Sequence, residues 1–232
     1  MQIGGFINQS LMDYPDKIAA VIFTQGCNLN CPYCHNPELI PFSPGRIPEN
    51  FVLDHLNKNK ALLDGVVITG GEPTMQNNLP VFIRKVKKET NLAIKLDTNG
   101  SNPSVLQQLI SEGLVDYIAM DVKADLTNQN YTLNSGKYYT STKLSKIEQS
   151  IRLIIRSGKK HEFRTTVCRE LLSFNDIQLI YKRLKGAHAY YMQTYQTAAK
   201  NNTKSSLSPY TSKEMGCMKN KLNNEVPVFV RQ

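Results

Sequence analysis

The sequence predicts an α/β fold, a partial (β/α)6 barrel, on three observations. Short apolar runs recur along the chain, amphipathic helical patterns separate them, and polar motifs follow nearly every run. Continuous apolar character is what a strand buried on both faces of a parallel sheet needs, and an intervening helix is how two parallel strands are joined. In a barrel the loops after all strands converge on one face, whereas an open doubly wound sheet gathers ligands mainly at its switch point. The spread of the motifs favours the barrel, and six units are too few to close an eight-unit one.

Residues 1–18 form an extension ahead of the first strand. Strands are predicted over 19–24, 65–69, 92–97, 115–121, 161–167 and 188–193, each rich in Val, Ile, Leu or Tyr. Between them, Leu79, Phe82, Ile83 and Val86 fall at i, i+3, i+4 and i+7, as do Ile177, Ile180, Tyr181 and Leu184, the spacing of one helical face. Leu144, Ile147, Ile151, Ile154 and Ile155 trace a third stripe. Asn102-Pro103 reads as a helix start, Ser173 with Asp176 as another, and Gly113 and Gly158 as stops. Residues 126–142, polar and tyrosine-containing, look like an insertion after the fourth strand. A C-terminal extension, 198–232, comprises a polar loop over 198–212, a short helix around 212–222 and an extended run at 226–230. The 232 residues are expected to form a single domain.

Lys plus Arg outnumber Asp plus Glu by 28 to 19, a formal charge of +9, which would favour acidic partners through long-range steering. The basic residues are scattered, however, and the densest groups, 84–88 and 182–185, fall on amphipathic helices whose charges form a solvated face. No nucleic-acid motif accompanies them, so neither nucleic acid nor membrane is expected as a partner. Without a basic, apolar leader or an apolar stretch of membrane-spanning length, a cytoplasmic location is expected. Five cysteines do not make a disulfide framework in a chain of this size. Three of them cluster, while Cys168 and Cys217 stand alone in ordinary packing positions.

That cluster is Cys27, Cys31 and Cys34, spaced C-x3-C-x2-C on a Gly-, Asn- and Pro-containing loop after the first strand. Structural zinc takes four protein ligands. Only three thiolates are offered, and His35 is poorly placed to serve the same ion as its neighbour Cys34. A 4Fe-4S cube on three thiolates would retain one iron without a protein ligand. Later strand ends carry Thr69-Gly70-Gly71-Glu72-Pro73, then Asp97-Thr98-Asn99-Gly100, then Asp121-Val122-Lys123. Taken singly, each could be turn chemistry. The fifth strand puts Glu162, Arg164 and Thr166 on one face. Arg164 there needs an anionic partner, from Glu162, Asp121 or a ligand.

The cysteine spacing, with Tyr33 before the last Cys, resembles the radical SAM superfamily, which implies a partial barrel of that type. By this resemblance the open iron would chelate the methionine part of S-adenosylmethionine (SAM), and Tyr33 would pack beside the adenine. Gly70, Gly71, Glu72 and Pro73 look like the family's GGEP element, with Glu72 and nearby carbonyls holding the SAM amino group. The next two motifs resemble elements of glycyl-radical-enzyme activases. Thr98 and Asn99 would face the ribose, Asp97 and Asp121 would supply oxygens to a monovalent cation, and Lys123 would lie close by. Arg164 would meet the SAM carboxylate or ribose, and Gln193 the adenine or the barrel mouth.

Residues Ile3-Gly4-Gly5-Phe6, Ser10 to Ala19 and Cys31 to Pro37 are similar to the opening of the anaerobic ribonucleoside-triphosphate reductase activating proteins. Asp16 departs from that pattern, which has Gly after Asp-Tyr-Pro. The resemblance implies reductive cleavage of SAM and transfer of a radical to a glycine of a partner glycyl radical enzyme. With no second cysteine cluster, the electron would come from an external flavodoxin or ferredoxin. Asp54, His55 and His188 have no acid–base role in such chemistry. The alternatives are activation of another glycyl radical enzyme of the formate-lyase type, modification of a small molecule or peptide, and a non-enzymatic zinc or iron-sulfur module.

Overall fold

The computed structural model describes residues 1–196, 206–222 and 224–231. The loop expected over 198–212 therefore lies largely outside the described residues. Eight strands are present: β1 (Ile3–Ser10), β2 (Ala19–Thr24), β3 (Gly65–Gly70), β4 (Ala93–Thr98), β5 (Tyr117–Asp121), β6 (Lys160–Val167), β7 (Tyr190–Thr194) and β8 (Val228–Arg231). Their order in the sheet follows the sequence from β1 to β8. All six predicted strands are found, within a few residues at their ends. The helices are α1 (Glu49–Asn59), α2 (Leu79–Thr90), α3 (Pro103–Ser111), α4 (Asn128–Ser135), α5 (Ser141–Arg156), α6 (Phe174–Arg183) and α7 (Ser212–Asn220).

The chain divides into two compact units. The first comprises Met1–Asn28, Asn36–Thr98 and Asn102–Ala119. In it β2, β3 and β4 run parallel, with Thr24 opposite Gly70, and β1 pairs antiparallel to β2. The expected extension at 1–18 is thus largely an edge strand. Its inner residue Ile3 is buried while Ile7 is exposed, so its apolar alternation is too weak to announce a strand. Leu79, Phe82, Ile83 and Val86 of α2 are fully buried, as their stripe predicts, and each such burial contributes roughly 1.5–3 kcal/mol. On the outer face of α2, Arg84 pairs with Glu112, Lys85 with Glu49 and Lys87 with Asp116. This face is an interleaved charge surface rather than a one-sign patch. Tyr14 packs with Ala19, Val21 and Val67. Asp16 adopts φ 60, the left-handed conformation that the expected Gly takes freely, so the turn survives the substitution.

The second unit comprises Leu29–His35, Asn99–Ser101 and Met120–Gln232. Here β6, β7 and β8 run parallel. The stripes of α5 and α6 bury Leu144, Ile147, Ile151 and Ile154, and Ile177, Ile180 and Tyr181. Ser173 and Asp176 form the anticipated reciprocal cap on α6. The insertion expected at 126–142 contains α4, capped by the Thr127 side chain, and runs into α5. Cys217 is exposed on α7, correcting its assignment to packing, because the buried face of this short helix is carried by Met215 and Met218. Among the described residues no helix is long and apolar enough to cross a membrane.

Candidate active site

In the first unit the site grows from the ends of β2, β3 and β4. After Thr24 the chain turns at Gly26 (φ +100), whose N–H donates to the Leu39 carbonyl at 2.8 Å, while the Cys27 N–H donates to the Ile40 carbonyl at 3.0 Å. From the neighbouring strand end, the Gly71 N–H donates to the Thr24 carbonyl at 2.8 Å and the Glu72 N–H to the Gly26 carbonyl at 2.9 Å. The approach is so close that a Cβ on Gly71 would lie 2.2 Å from the Gly26 oxygen, and one on Gly70 (φ +104) 2.4 Å from the Thr24 nitrogen. Both contacts are with backbone, which no rotamer change can relieve, so glycine is required at both positions. The Gly-Gly turn is thus a cradle built against the residue before Cys27.

Glu72 is buried, and its Oε1 accepts from the Thr74 N–H at 3.1 Å, the Thr74 hydroxyl at 2.5 Å and the Thr98 hydroxyl at 2.7 Å. Pro73 opens a single 3-10 turn that brings Thr74 back onto the carboxylate. The Asn102 amide in turn donates to the Thr74 hydroxyl at 3.1 Å. Asn102 therefore serves this network, with no side-chain bond to its own helix start. Thr98, expected at a ribose, holds Glu72 in this structure. Asp97 accepts from the buried Lys95 at 2.6 Å, two residues back on the same face of β4.

In the second unit the Cys34 N–H donates to the Cys31 carbonyl at 3.0 Å, closing the turn between these two cysteines. Burial pushes the Cys31 thiol up, with Lys123 opposing. Tyr33 is buried with Cys168 and Tyr195, against partly buried Cys31, and the Lys123 ammonium lies 5.8 Å from its ring centroid. The Tyr33 hydroxyl is buried with no hydrogen-bond partner among the described residues. Such a buried group is costly unless a ligand serves it. Burial also pushes the Cys168 thiol up, to about 12, as suits the packing role expected of it.

Asp121 ends β5 and is held by two cations: Oδ1 accepts from Arg164 Nε at 2.8 Å, and Oδ2 from Lys123 Nζ at 2.9 Å. Burial alone would raise its pKa, but Arg164 and Lys123 together hold the carboxyl well below the usual range. Arg164 also reaches Glu162 at 3.9 Å, and Glu162 reaches Arg231 at 3.5 Å. An internal charge network thus answers the demand that Arg164 made of the sequence. The Asn99 side chain accepts from the Ser101 N–H at 3.0 Å, shaping the turn after β4, and Gln193 is half-buried in register with Thr166 and Arg231. His188 stacks on His161 with ring centroids 4.1 Å apart, and His55 packs edge-on against Phe6, structural positions as expected.

Cys27, Cys31 and Cys34 are not joined in disulfides among the described residues. Among the described residues no group of three or more His, Cys, Asp or Glu is drawn together as a metal site. Sequence reading missed Thr74, which braces Glu72, and the contact between Asn30 and Gly136. Two residues after a Gly-Gly-Glu element, a hydroxyl within reach was the available signal for the first. The second had only a glycine after a polar segment.

Residues 21–171 match the family model of the radical SAM superfamily. The chain is 34% identical over 195 residues to a Methanocaldococcus jannaschii protein assigned by name to the glycyl-radical enzyme activating enzymes, a match covering 84% of this chain and 80% of that one. It is 28% identical over 145 residues to the 7-carboxy-7-deazaguanine synthase of Aquifex aeolicus, covering 60% of this chain and 59% of the relative. In fold it is similar to Streptococcus suis SuiB bound to S-adenosylmethionine, with a TM-score of 0.70 and 14% identity; that match covers 91% of this chain and 50% of the solved one. The superfamily implies a 4Fe-4S cluster and SAM. The residues present fit them: three thiols outside any disulfide on one loop, the buried carboxylate of Glu72 after β3, and a buried phenol with no hydrogen-bond partner among the described residues. The α/β chain with its largely parallel sheet is a partial-barrel enzyme of the radical SAM superfamily, in the group of glycyl-radical-enzyme activating enzymes.

Proposed function

We propose that this chain cleaves SAM reductively at a 4Fe-4S cluster held by Cys27, Cys31 and Cys34, and that it installs the glycyl radical of anaerobic ribonucleoside-triphosphate reductase. Bound there, the cluster and SAM supply an electron and a carbon radical able to abstract a glycine α-hydrogen. The protein's own task is to bind, orient and exclude water. Gly70 and Gly71 let main chain approach a ligand closely. Glu72, braced by Thr74 and Thr98, would accept the SAM ammonium in a charge-assisted bond. Thr98 and Asn99 would face the ribose, Tyr33 the adenine, and Gln193 the mouth. Lys123 and Arg164 would offer positive charge to the SAM carboxylate. A monovalent cation belongs to the same reading, but at Asp97 it would compete with Lys95, and at Asp121 with Lys123 and Arg164.

The match to a glycyl-radical enzyme activating enzyme over most of both chains supports the activase part of this reading; the reductase as partner rests on the resemblance of residues 3–19 and 31–37. The partner is a glycyl radical enzyme, and the electron donor a flavodoxin or ferredoxin. The similarity to a 7-carboxy-7-deazaguanine synthase favours a second reading, with a small molecule in place of the protein. Incubating the reconstituted chain with SAM, a reductant and the reductase separates them. A glycyl radical doublet in the electron paramagnetic resonance (EPR) spectrum supports the first reading. Formation of a deazaguanine-like product from a small-molecule substrate, with no doublet on any glycyl radical enzyme, supports the second.

A further inference from the structure

We propose that α4, through its capping Gly136, positions the second half of the cysteine loop and so sets the stability and electronic environment of the cluster; this rests on the cluster assignment above. Asn30 immediately precedes Cys31. Its N–H donates to the Ser135 carbonyl at 2.9 Å, and a Cβ built on Gly136 would lie 1.8 Å from the Asn30 oxygen and 2.6 Å from its carbonyl carbon. Main chain therefore meets main chain on both sides of the Asn30 peptide. Gly136 is required twice over, since it also ends α4 in the left-handed region at φ 63, with its N–H on the Thr132 carbonyl.

The helix behind this contact is itself fixed. Its buried residues are Tyr131, Asn134 and Ser135, with no apolar stripe; the Tyr131 hydroxyl and Asn134 Oδ1 have no hydrogen-bond partner among the described residues, and the helix is held through other groups. The Asn134 amide donates to the Asn130 carbonyl at 3.0 Å, and the Asn130 amide to Asp125 at 2.6 Å and Asp176 at 3.1 Å. The Tyr131 and Tyr139 rings pack at a tilt of 46° with centroids 4.6 Å apart. Ser135 Oγ donates to the Lys137 carbonyl at 3.0 Å, holding the turn that follows Gly136. The position from which Cys31 departs is thus dictated by a braced element that supplies no ligand. Groups of this kind, one shell out from the ligands, tune metal affinity by about 10–100-fold.

The test compares Gly136→Ala with Gly158→Ala in the full chain. Gly158 also has a left-handed φ, +70, but nothing lies within 4 Å of its Cβ, so it reports backbone strain without collision. After anaerobic reconstitution, cluster loss to a chelator and the EPR spectrum of the reduced cluster are recorded alongside thermal melting. Gly136→Ala should lose cluster about tenfold faster than the unaltered chain and show a shifted EPR signal, while Gly158→Ala matches the unaltered chain in both, although its strained φ also lowers the melting temperature, by less than the colliding Gly136→Ala. Should Gly136→Ala fail to fold, Ser135→Ala decides, with a two- to threefold acceleration expected on the same scale. Unaltered cluster kinetics and EPR in a folded Gly136→Ala, or in Ser135→Ala where that variant decides, overturn the proposal. If the unaltered chain acquires no cluster at all, the cluster assignment falls, and this inference with it.

Discussion

The two ends of the cysteine loop are held in different ways. At the Cys27 end the support is main chain just past two neighbouring strand ends: Gly26 is bonded to Glu72 and Leu39, and Gly71 to Thr24. At the Cys31 end the support is a short polar helix whose C-terminal glycine abuts Asn30. The main chain at the Cys27 end continues directly from the parallel pairing of β2 with β3, which ends at Thr24 opposite Gly70, and has little freedom to retreat. A helix cap is tied to the loop through fewer main-chain bonds and can shift as a unit, though relieving a 1.8 Å contact takes more than an ångström of movement. The first end should therefore govern whether the chain folds with its site formed, and the second how tightly a cluster is then kept.

The most severe way to break this contrast is Gly71→Ala. Its Cβ would collide with the Gly26 carbonyl at 2.2 Å and come within 3.1 Å of the Leu39 carbonyl. A loss of about 3 kcal/mol in folding free energy is expected, measured by denaturant melting, together with failure to reconstitute. If Gly71→Ala melted like the parent, the sheet end would not be the rigid one. Glu72→Gln should act on ligand rather than fold, since the amide oxygen can still accept from Thr74 and Thr98. Cluster absorbance should persist while SAM binds roughly tenfold more weakly, the worth of about 1.4 kcal/mol in a charge-assisted bond. Isothermal titration of the reconstituted protein would show it.

Asp121→Asn sharpens the account of the second end, where Lys123 sits over Tyr33. Because Arg164 and Lys123 depress the Asp121 carboxyl, its contribution to stability is fully present above about pH 4 and is lost as pH falls below it toward the depressed folded value. The parent should thus destabilise more steeply with acid than Asp121→Asn does. At pH 7 the variant should lie roughly 2 kcal/mol lower, because two cations lose their partner in a partly buried place. Parallel pH profiles for the two proteins would contradict the pairing.

Sheet, helices and most of the first unit's site are legible in the sequence because their signals are local. An i, i+3, i+4, i+7 stripe defines α2, and a Gly-Gly-Glu-Pro run after an apolar strand needs no tertiary information. Arg164 illustrates a partial reading: alternation along β6 puts it beside Glu162, but only the register of separate strands delivers Asp121. β1 escaped because an edge strand buries few of its residues. Gly136 escaped for a different reason. Helix α4 has no apolar period, and the meaning of its cap lies in Asn30, more than a hundred residues earlier in the chain.

The account stands most directly on one assay: anaerobic reconstitution of the chain with iron and sulfide, reduction in the presence of SAM, and quantitation of 5′-deoxyadenosine and methionine. It predicts that the reduced protein forms both products in equal amounts, and that Cys27→Ala, Cys31→Ala and Cys34→Ala form neither. A chain that takes up zinc stably in place of a cluster, or that carries a reduced cluster yet leaves SAM intact, would contradict it.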